Sequence, residues 1–161
     1  MKTQKITKVL IALDYDPTAQ VVAETGFRFA KSLDAEITLL HVILDPLKYS
    51  SADYSPIMGF TGYADIGPME TDSVDELKNA ARKYLDKAKH HLGDDATKTL
   101  IREGDIAESI LGASKDIHAD MIVIGSFSRK LLDKIFMGSV TEKVMQLTTV
   151  PLLIIPAGPG K

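Results

Sequence analysis

Two glycine–serine pairs, Gly125–Ser126 and Gly138–Ser139, stand on either side of a basic segment late in the chain. A glycine after a strand lets backbone N–H groups come close to a ligand, and the free N–H groups of a helix start favour an anion. The hydroxyl groups and cations of this region belong to Ser126, Ser128, Ser139, Thr141, Arg129, Lys130 and Lys134. The pattern fits a phosphate cradle, and it fits equally a strand that ends at Gly125 and a helix that Ser139 caps.

Two carboxylates, Asp14 and Asp16, lie at the end of the first apolar run of the chain, "KVLIALD". They could help to position Mg²⁺ through water beside a triphosphate, because Mg²⁺ prefers oxygen ligands and keeps several waters. Asp16 precedes Pro17, so a turn that opens a helix is the favoured interpretation of that residue. For Asp14 we favour a place in a binding site.

The four histidines do not form a convincing site in the sequence. His90 and His91 precede Asp94 and Asp95, but neighbouring residues of a helix do not face each other, so a solvated helix end is favoured over a metal cluster. We expect His41 to lie in a strand with a local hydrogen bond. His118 is expected in a surface turn.

The elements that must position these residues alternate along the chain. Five apolar runs predict strands over 8–14, 36–43, 98–104, 119–125 and 150–156. Helical spacing is found over 18–33, 73–92, 105–116 and 139–147. The face predicted for the first helix is formed by Val21, Val22, Thr25, Phe29 and Ala30, with Asp16 or Thr18 as its start signal.

Continuous apolar runs are typical of strands that are buried on both faces of a parallel sheet. Alternation of such strands with helices predicts an α/β fold, an open five-stranded parallel sheet with helices on both faces. The run over 98–104 is weaker, which favours an edge. Ligands of such sheets bind at the carboxyl ends of the strands, where this chain has Asp14, residues 42–45, Gly104 and residues 125–128.

The length of 161 residues suits one domain, which we predict over 1–157, with a long loop over 45–72 and a frayed tail over 158–161. The loop contains several aromatic residues, which suggests a flap over a ligand or a dimer contact. The net charge of −3 argues against nucleic acid as a partner. The chain has no cysteine, which excludes thiolate chemistry and disulfides. No run suits a membrane span, and we expect a cytoplasmic protein.

The layout Gly125-x-x-Ser128, nine residues, then Gly138–Ser139 resembles the ATP-binding class of the universal stress protein family. Members of that class have Gly-x-x-Gly, nine residues, and then Gly-Ser or Gly-Thr. The resemblance covers nearly the whole chain and includes "KVLIALD", "AEITLLHVI", "REGDIAESIL", "ADMIVIGSFSR" and "MGSVTEKVMQLTTVPLLIIP". Ser128 departs from the pattern, and serine costs on the order of 1 kcal/mol if the position needs a positive φ.

The resemblance implies a Rossmann-like sheet of order 3-2-1-4-5, like that of the adenine nucleotide alpha hydrolases, and a homodimer formed through 150–156. It implies ATP as ligand, with Mg²⁺ held through the phosphates. Asp14 would contact ribose or adenine, Val42 would lie by the adenine, and Ile124 and Gly125 would line the floor. Gly138, Ser139, Val140 and Thr141 would hold the phosphates. The full candidate set is Ala12, Leu13, Asp14, Val42, Gly104, Ile124, Gly125, Ser126, Ser128, Arg129, Gly138, Ser139, Val140 and Thr141.

We therefore expect a stress-response or signalling protein that binds ATP as a regulatory ligand and is not an enzyme. The alternatives are a slow ATPase and a nucleotide-free dimeric interaction module. The Walker pattern of P-loop enzymes is absent from the sequence. A phospho-receiver domain is excluded, because "LIREG" lacks its acceptor aspartate and "LLIIPAG" lacks its lysine.

Overall fold

The computed structural model describes residues 4–14, 18–43, 74–126 and 139–156. The predicted loop over 45–72, the tail over 158–161 and Asp16 lie outside these ranges. Strands and helices alternate through the described ranges as β1 Lys8–Ala12, α1 Ala19–Ser32, β2 Glu36–Ile43, α2 Val74–Leu92, β3 Lys98–Glu103, α3 Ile106–Asp116, β4 Met121–Gly125, α4 Ser139–Leu147 and β5 Leu152–Ile155. None of these helices has the length and the apolar character that a membrane crossing requires.

The strands form one five-stranded sheet in the order β3-β2-β1-β4-β5, and every pairing in it is parallel. The predicted fold class and strand order are confirmed, and the weak strand β3 lies at an edge as expected. β1 pairs Ala12 with Leu40 of β2 and Ile11 with Val123 of β4. β1 is therefore the central strand of the sheet, with β2 on one side and β4 on the other.

Each face of the sheet has its own apolar core, which explains why the strands read as continuous apolar runs. On one face, Val9, Ile11, Ile37, Leu39 and Val123 pack with residues of α1 and α2. On the other face, Leu10, Leu40, Val42, Ile122 and Ile124 pack with residues of α3 and α4. Alternate residues of one strand thus serve opposite cores, as the geometry of a strand requires.

Helix α1 buries only part of the face predicted for it, including Val22 and Ala30. Its buried residues are Ala19, Val22, Ala23, Gly26 and Ala30, whereas Val21 is 48% and Phe29 40% exposed. The helix lies so close to β1 and β4 that small side chains fill the contact, and the larger ones are displaced to its margins. Thr18 stands at the predicted start, but its side chain makes no capping hydrogen bond.

Gly26 sets the distance between α1 and the sheet. A Cβ atom at this position would lie 3.0 Å from Val123 Cγ1 and 3.2 Å from Ile11 Cδ1, two buried atoms with little room to move. We expect Gly26→Val to lower the free energy of unfolding by about 2 kcal/mol through overpacking, measured by urea titration. Gly112→Val is the control, because a Cβ there meets nothing within 4 Å. Equal stability of the two variants would contradict this account of the α1 contact.

Candidate functional site

The order of the strands reverses between β1 and β4, which are neighbours in the sheet. The chain runs from β1 outward to β2 and β3, and then crosses to β4 and β5 on the other side of β1. Such a reversal of strand order opens a crevice in which the ligands of open α/β sheets bind. Because Ile11 is paired with Val123, the strand ends Ala12–Leu13 and Ile124–Gly125 lie side by side there.

The first wall of this crevice is the chain that leaves β1. The Leu13 N–H donates to the Leu40 carbonyl at 2.8 Å, and the Leu13 side chain is buried in the core shared with α1 and α2. Asp14 follows and is exposed. The backbone of Leu13 is therefore fixed, while the Asp14 residue lies in solvent at the sheet edge.

The second wall is the end of β4 together with the start of α4. The Thr141 hydroxyl, which is buried, donates to the Gly125 carbonyl at 2.8 Å. The Ser126 N–H donates to the Ile155 carbonyl at 3.0 Å, so the segment after β4 is held from both sides. Ser139 is exposed at the first residue of α4, and Val140 is half-buried. The N-terminal turn of α4 is thereby held against the end of β4.

An apolar floor connects the two walls. Ala12, Val42 and Ile124 belong to the core on the α3 and α4 face, which is also the face on which α4 starts. Val42 and Ile124 are buried, and Ala12 is half-buried. The crevice thus combines an apolar surface with N–H groups and hydroxyls, a combination that suits a ligand with a flat apolar part and an anionic part.

Gly104 lies at the same edge but farther from the crevice. Its N–H donates to the Ile43 carbonyl at 3.0 Å, and its φ of 117° favours glycine. It follows β3, which is separated from β4 by β2 and β1. Since neighbouring strands are about 4.8 Å apart, Gly104 is about 14 Å from β4 along the sheet. The structure brings the other described candidates together and leaves this one at the edge strand.

Two buried polar side chains, His41 and Tyr84, lie behind the first wall. His41 Nδ1 donates to the Leu13 carbonyl at 2.8 Å, and the Tyr84 hydroxyl donates to the Asp14 carbonyl at 2.6 Å. Burial lowers the pKa of His41 from an ordinary 6.5 to about 4, and the hydrogen bond to Leu13 opposes that shift only in part. The local hydrogen bond predicted for His41 is confirmed. Tyr84 was not predicted as a site residue, although a tyrosine on an apolar helix face signals a hydroxyl that needs a partner.

Other predicted residues lie outside the site or outside the described residues. Ser128, Arg129 and Gly138 are not among the described residues. His91 Nε2 lies 2.6 Å from Glu24 Oε1 in an exposed pair between α2 and α1. Among the residues that the structure describes, no group of three or more histidine, aspartate or glutamate side chains could hold a metal ion.

Comparisons with known proteins identify relatives along nearly the whole chain. The model of the universal stress protein family matches residues 5–156. The universal stress protein YxiE of Bacillus subtilis is 28% identical over 151 residues, which cover 92% of this chain and 97% of the relative. The stress response protein NhaX of the same organism is 30% identical over 166 residues, with 92% and 96% covered.

Solved structures share the fold. Protein MJ0577 of Methanocaldococcus jannaschii superposes with a TM-score of 0.68 at 23% identity, covering 98% of this chain and 99% of that one. A universal stress protein in complex with cAMP gives 0.63 at 14% identity, with 96% and 99% covered. A universal stress protein of Archaeoglobus fulgidus in complex with dAMP gives 0.55 at 13% identity, with 94% and 99% covered.

Proposed function

Because the chain belongs to the universal stress protein family, we propose that it binds an adenine nucleotide, ATP with Mg²⁺, in the crevice between β1 and β4. The observation that carries this proposal is the hydrogen bond from Thr141 to the Gly125 carbonyl. This bond holds the first turn of α4 beside the end of β4, and the N-terminus of a helix favours an anionic ligand.

The proposed ligand matches the chemistry of both ends of the crevice. The apolar floor of Ala12, Val42 and Ile124 suits the face of a purine base, and the start of α4 suits phosphate. Two proteins of the same fold are described in complex with cAMP and with dAMP, which share an adenine base and a phosphate. These ligands support an adenine nucleotide here, and the choice of ATP rests on the sequence pattern of the glycine–serine pairs.

We propose that Mg²⁺ is held mainly by the phosphates. The described residues offer no cluster of three or more ligating side chains, and Mg²⁺ commonly binds through one or two carboxylates together with substrate phosphates and water. Asp14, exposed at the first wall, is the carboxylate that could meet its waters. When bound, Mg²⁺ would offset the charge of the triphosphate.

ATP acts in this proposal as a regulatory ligand and not as a substrate with rapid turnover. His41 is the histidine nearest to the crevice along β1 and β2, but it is 1% exposed and its Nδ1 is bonded to Leu13. A general base must reach the water that it activates, and His41 does not reach the surface. We propose that the protein is located in the cytoplasm, where ATP is available, and cell fractionation tests this location.

Nucleotide release and titration test the binding proposal. Freshly purified protein is heat-denatured, and the supernatant is compared with AMP, ADP and ATP by anion exchange; emptied protein is then titrated with Mg·ATP by calorimetry. Released ATP or micromolar binding supports the proposal, and a phosphate-release assay on the same sample measures turnover. If no nucleotide is released and the titration gives no heat, the proposal is overturned, and the nucleotide-free dimeric module is favoured.

A homodimer through β5 is the second part of the proposal. In the described sheet β5 pairs only with β4, and Leu152, Leu153 and Ile154 are only half-buried. An apolar strand with an open edge is suited to pairing with a second copy. Met145 and Leu147, near the end of the preceding helix, are 45% and 54% exposed, and we propose that they extend this apolar surface.

We expect Leu147→Lys to convert the dimer into a monomer at micromolar concentration. A lysine suits the C-terminal end of a helix, so α4 should remain folded, while the buried charge would oppose association. Light scattering after gel filtration gives the mass, and circular dichroism reports the fold. Leu147→Met is the matched control, because it keeps an apolar side chain of similar size at the same position. A Leu147→Lys dimer as stable as that of the control would contradict the assignment of this surface.

A further inference from the structure

Two consecutive backbone carbonyls at the end of β1 receive hydrogen bonds from buried side chains. His41, on β2, donates to Leu13, and Tyr84, on α2, donates to Asp14. The two donors are 1% and 0% exposed, and their rings are in edge contact with centroids 5.6 Å apart. They form one buried unit, although they come from elements that are far apart in the sequence.

This unit lies on the side of the sheet opposite to the crevice floor. Tyr84 belongs to the core shared with α1 and α2, whereas Ala12, Val42 and Ile124 pack on the α3 and α4 face. A ligand on that floor would therefore be separated from both rings by the backbone of β1. His41 and Tyr84 can act on it only through Leu13 and Asp14.

The placement of Asp14 depends on these bonds. The Leu13 N–H is bonded to Leu40, and Asp14 lies beyond the last residue of β1 and is exposed. The carbonyl bonds from His41 and Tyr84 fix the orientation of the two peptide groups that lead into and out of Asp14. A group held before the ligand arrives does not have to be ordered at the moment of binding, and this raises affinity.

We propose that His41 and Tyr84 are positioning residues of the nucleotide site, which fix the Leu13–Asp14 backbone from behind so that the first wall is preformed. This inference rests on the proposed function. Neither residue touches the ligand; they raise its affinity indirectly, because they hold the Leu13–Asp14 backbone that the ligand contacts.

Tyr84→Phe is the first test, because it keeps the packed ring and removes only the hydroxyl. We expect Mg·ATP to bind roughly three- to tenfold more weakly, the range that corresponds to the net value of one hydrogen bond, as measured by calorimetry. Thr7→Val is the matched control: it removes a hydroxyl bond, from Thr7 to Asp120 at 2.9 Å, just before the other end of β1, and should bind as the unaltered protein does.

Two substitutions of His41 separate positioning from stability. Asn keeps an N–H donor near Leu13, whereas Leu removes the donor but suits the apolar surroundings. Stability alone would rank the Leu variant at or above the Asn variant, because a buried polar group carries a desolvation cost. If His41 is a positioning residue, the order of ATP affinity is the opposite: His41→Asn binds ATP more tightly than His41→Leu. The affinities are measured at a temperature at which melting curves show that both variants are folded.

The outcomes separate the two hypotheses. If the unaltered protein binds no adenine nucleotide, the proposed function fails and this inference fails with it. If the unaltered protein binds Mg·ATP and Tyr84→Phe binds equally well, only the inference is overturned. It is overturned also if affinity follows melting temperature, with His41→Leu binding at least as tightly as His41→Asn.

Discussion

Ser139→Glu is expected to weaken the binding of Mg·ATP on the order of 100-fold while leaving the protein at least as stable. Ser139 is exposed at the first residue of α4, where a carboxylate interacts favourably with the helix dipole. The same carboxylate would face the phosphates that this helix start is proposed to hold. Two like charges 4 Å apart repel by about 4 kcal/mol at an effective dielectric constant of 20, and screening by Mg²⁺ and water reduces that value.

Ser139→Gln is the control for this prediction, since glutamine has the size of glutamate without its charge. Calorimetry should place the affinity of the Gln variant within about threefold of the unaltered protein, and melting curves should show that both variants fold. The charge at α4 would have no part in binding if the Glu and Gln variants bound Mg·ATP equally well.

The stability of the protein should fall by about 3 kcal/mol as the pH is lowered from about 6.5 to about 4, because of His41 alone. Burial holds the pKa of His41 at about 4 in the folded chain, against an ordinary 6.5. Between these pH values His41 is protonated in the unfolded chain but neutral in the folded chain, so a lower pH favours unfolding. The contribution is fully present above pH 6.5 and is lost progressively below it.

His41→Asn should flatten this pH dependence, although it lowers stability at neutral pH because the smaller side chain leaves a cavity. Urea titrations at half-unit pH steps measure the slope. His118→Asn is the control: His118 is exposed in a turn at a φ of 55°, which asparagine tolerates. A slope unchanged by His41→Asn would contradict a buried, neutral His41.

The comparison is cleanest above pH 4.5, where carboxyl groups contribute little to the slope. His91 lowers the pKa of Glu24 below its ordinary 4.5 through a hydrogen bond, and the Thr7 N–H lowers that of Asp120 below 3.8. A carboxyl group with a lowered pKa begins to lose its contribution to stability as the pH falls to its ordinary value, and has lost it below the lowered value. The window from pH 6.5 to 4.5 therefore reports mainly on His41.

The strands could be predicted from the sequence because burial on both faces leaves an unbroken apolar run, as in the residues around Leu10, Leu39 and Val123. The order of the strands could not be read from those runs, and it came from the resemblance to the universal stress proteins. The face of α1 was predicted in part: Val22 and Ala30 are buried as predicted, whereas Phe29 is exposed. A hydrophobic pattern selects large residues, while the close contact at Gly26 selects small ones.

The walls of the crevice were predicted in part. Asp14 and Gly125 had to reach the same sheet edge, because parallel strands end on the same side. That Thr141 bonds the Gly125 carbonyl, and that Tyr84 reaches Asp14 across 70 positions of sequence, are contacts between elements that no local pattern encodes. Gly104 shares the edge but follows the edge strand β3, with β2 and β1 between it and β4.

The most direct measurement is the amide NMR spectrum of ¹⁵N-labelled protein with and without saturating Mg·ATP. If the nucleotide binds between β1 and β4, the largest shifts should fall on the amides of Leu13, Asp14, Gly125, Ser126 and residues 139–141. The amides of β3, two strands from β1, should change least. An unchanged spectrum, or shifts concentrated at β3 or β5 with none at these amides, would contradict the proposed site.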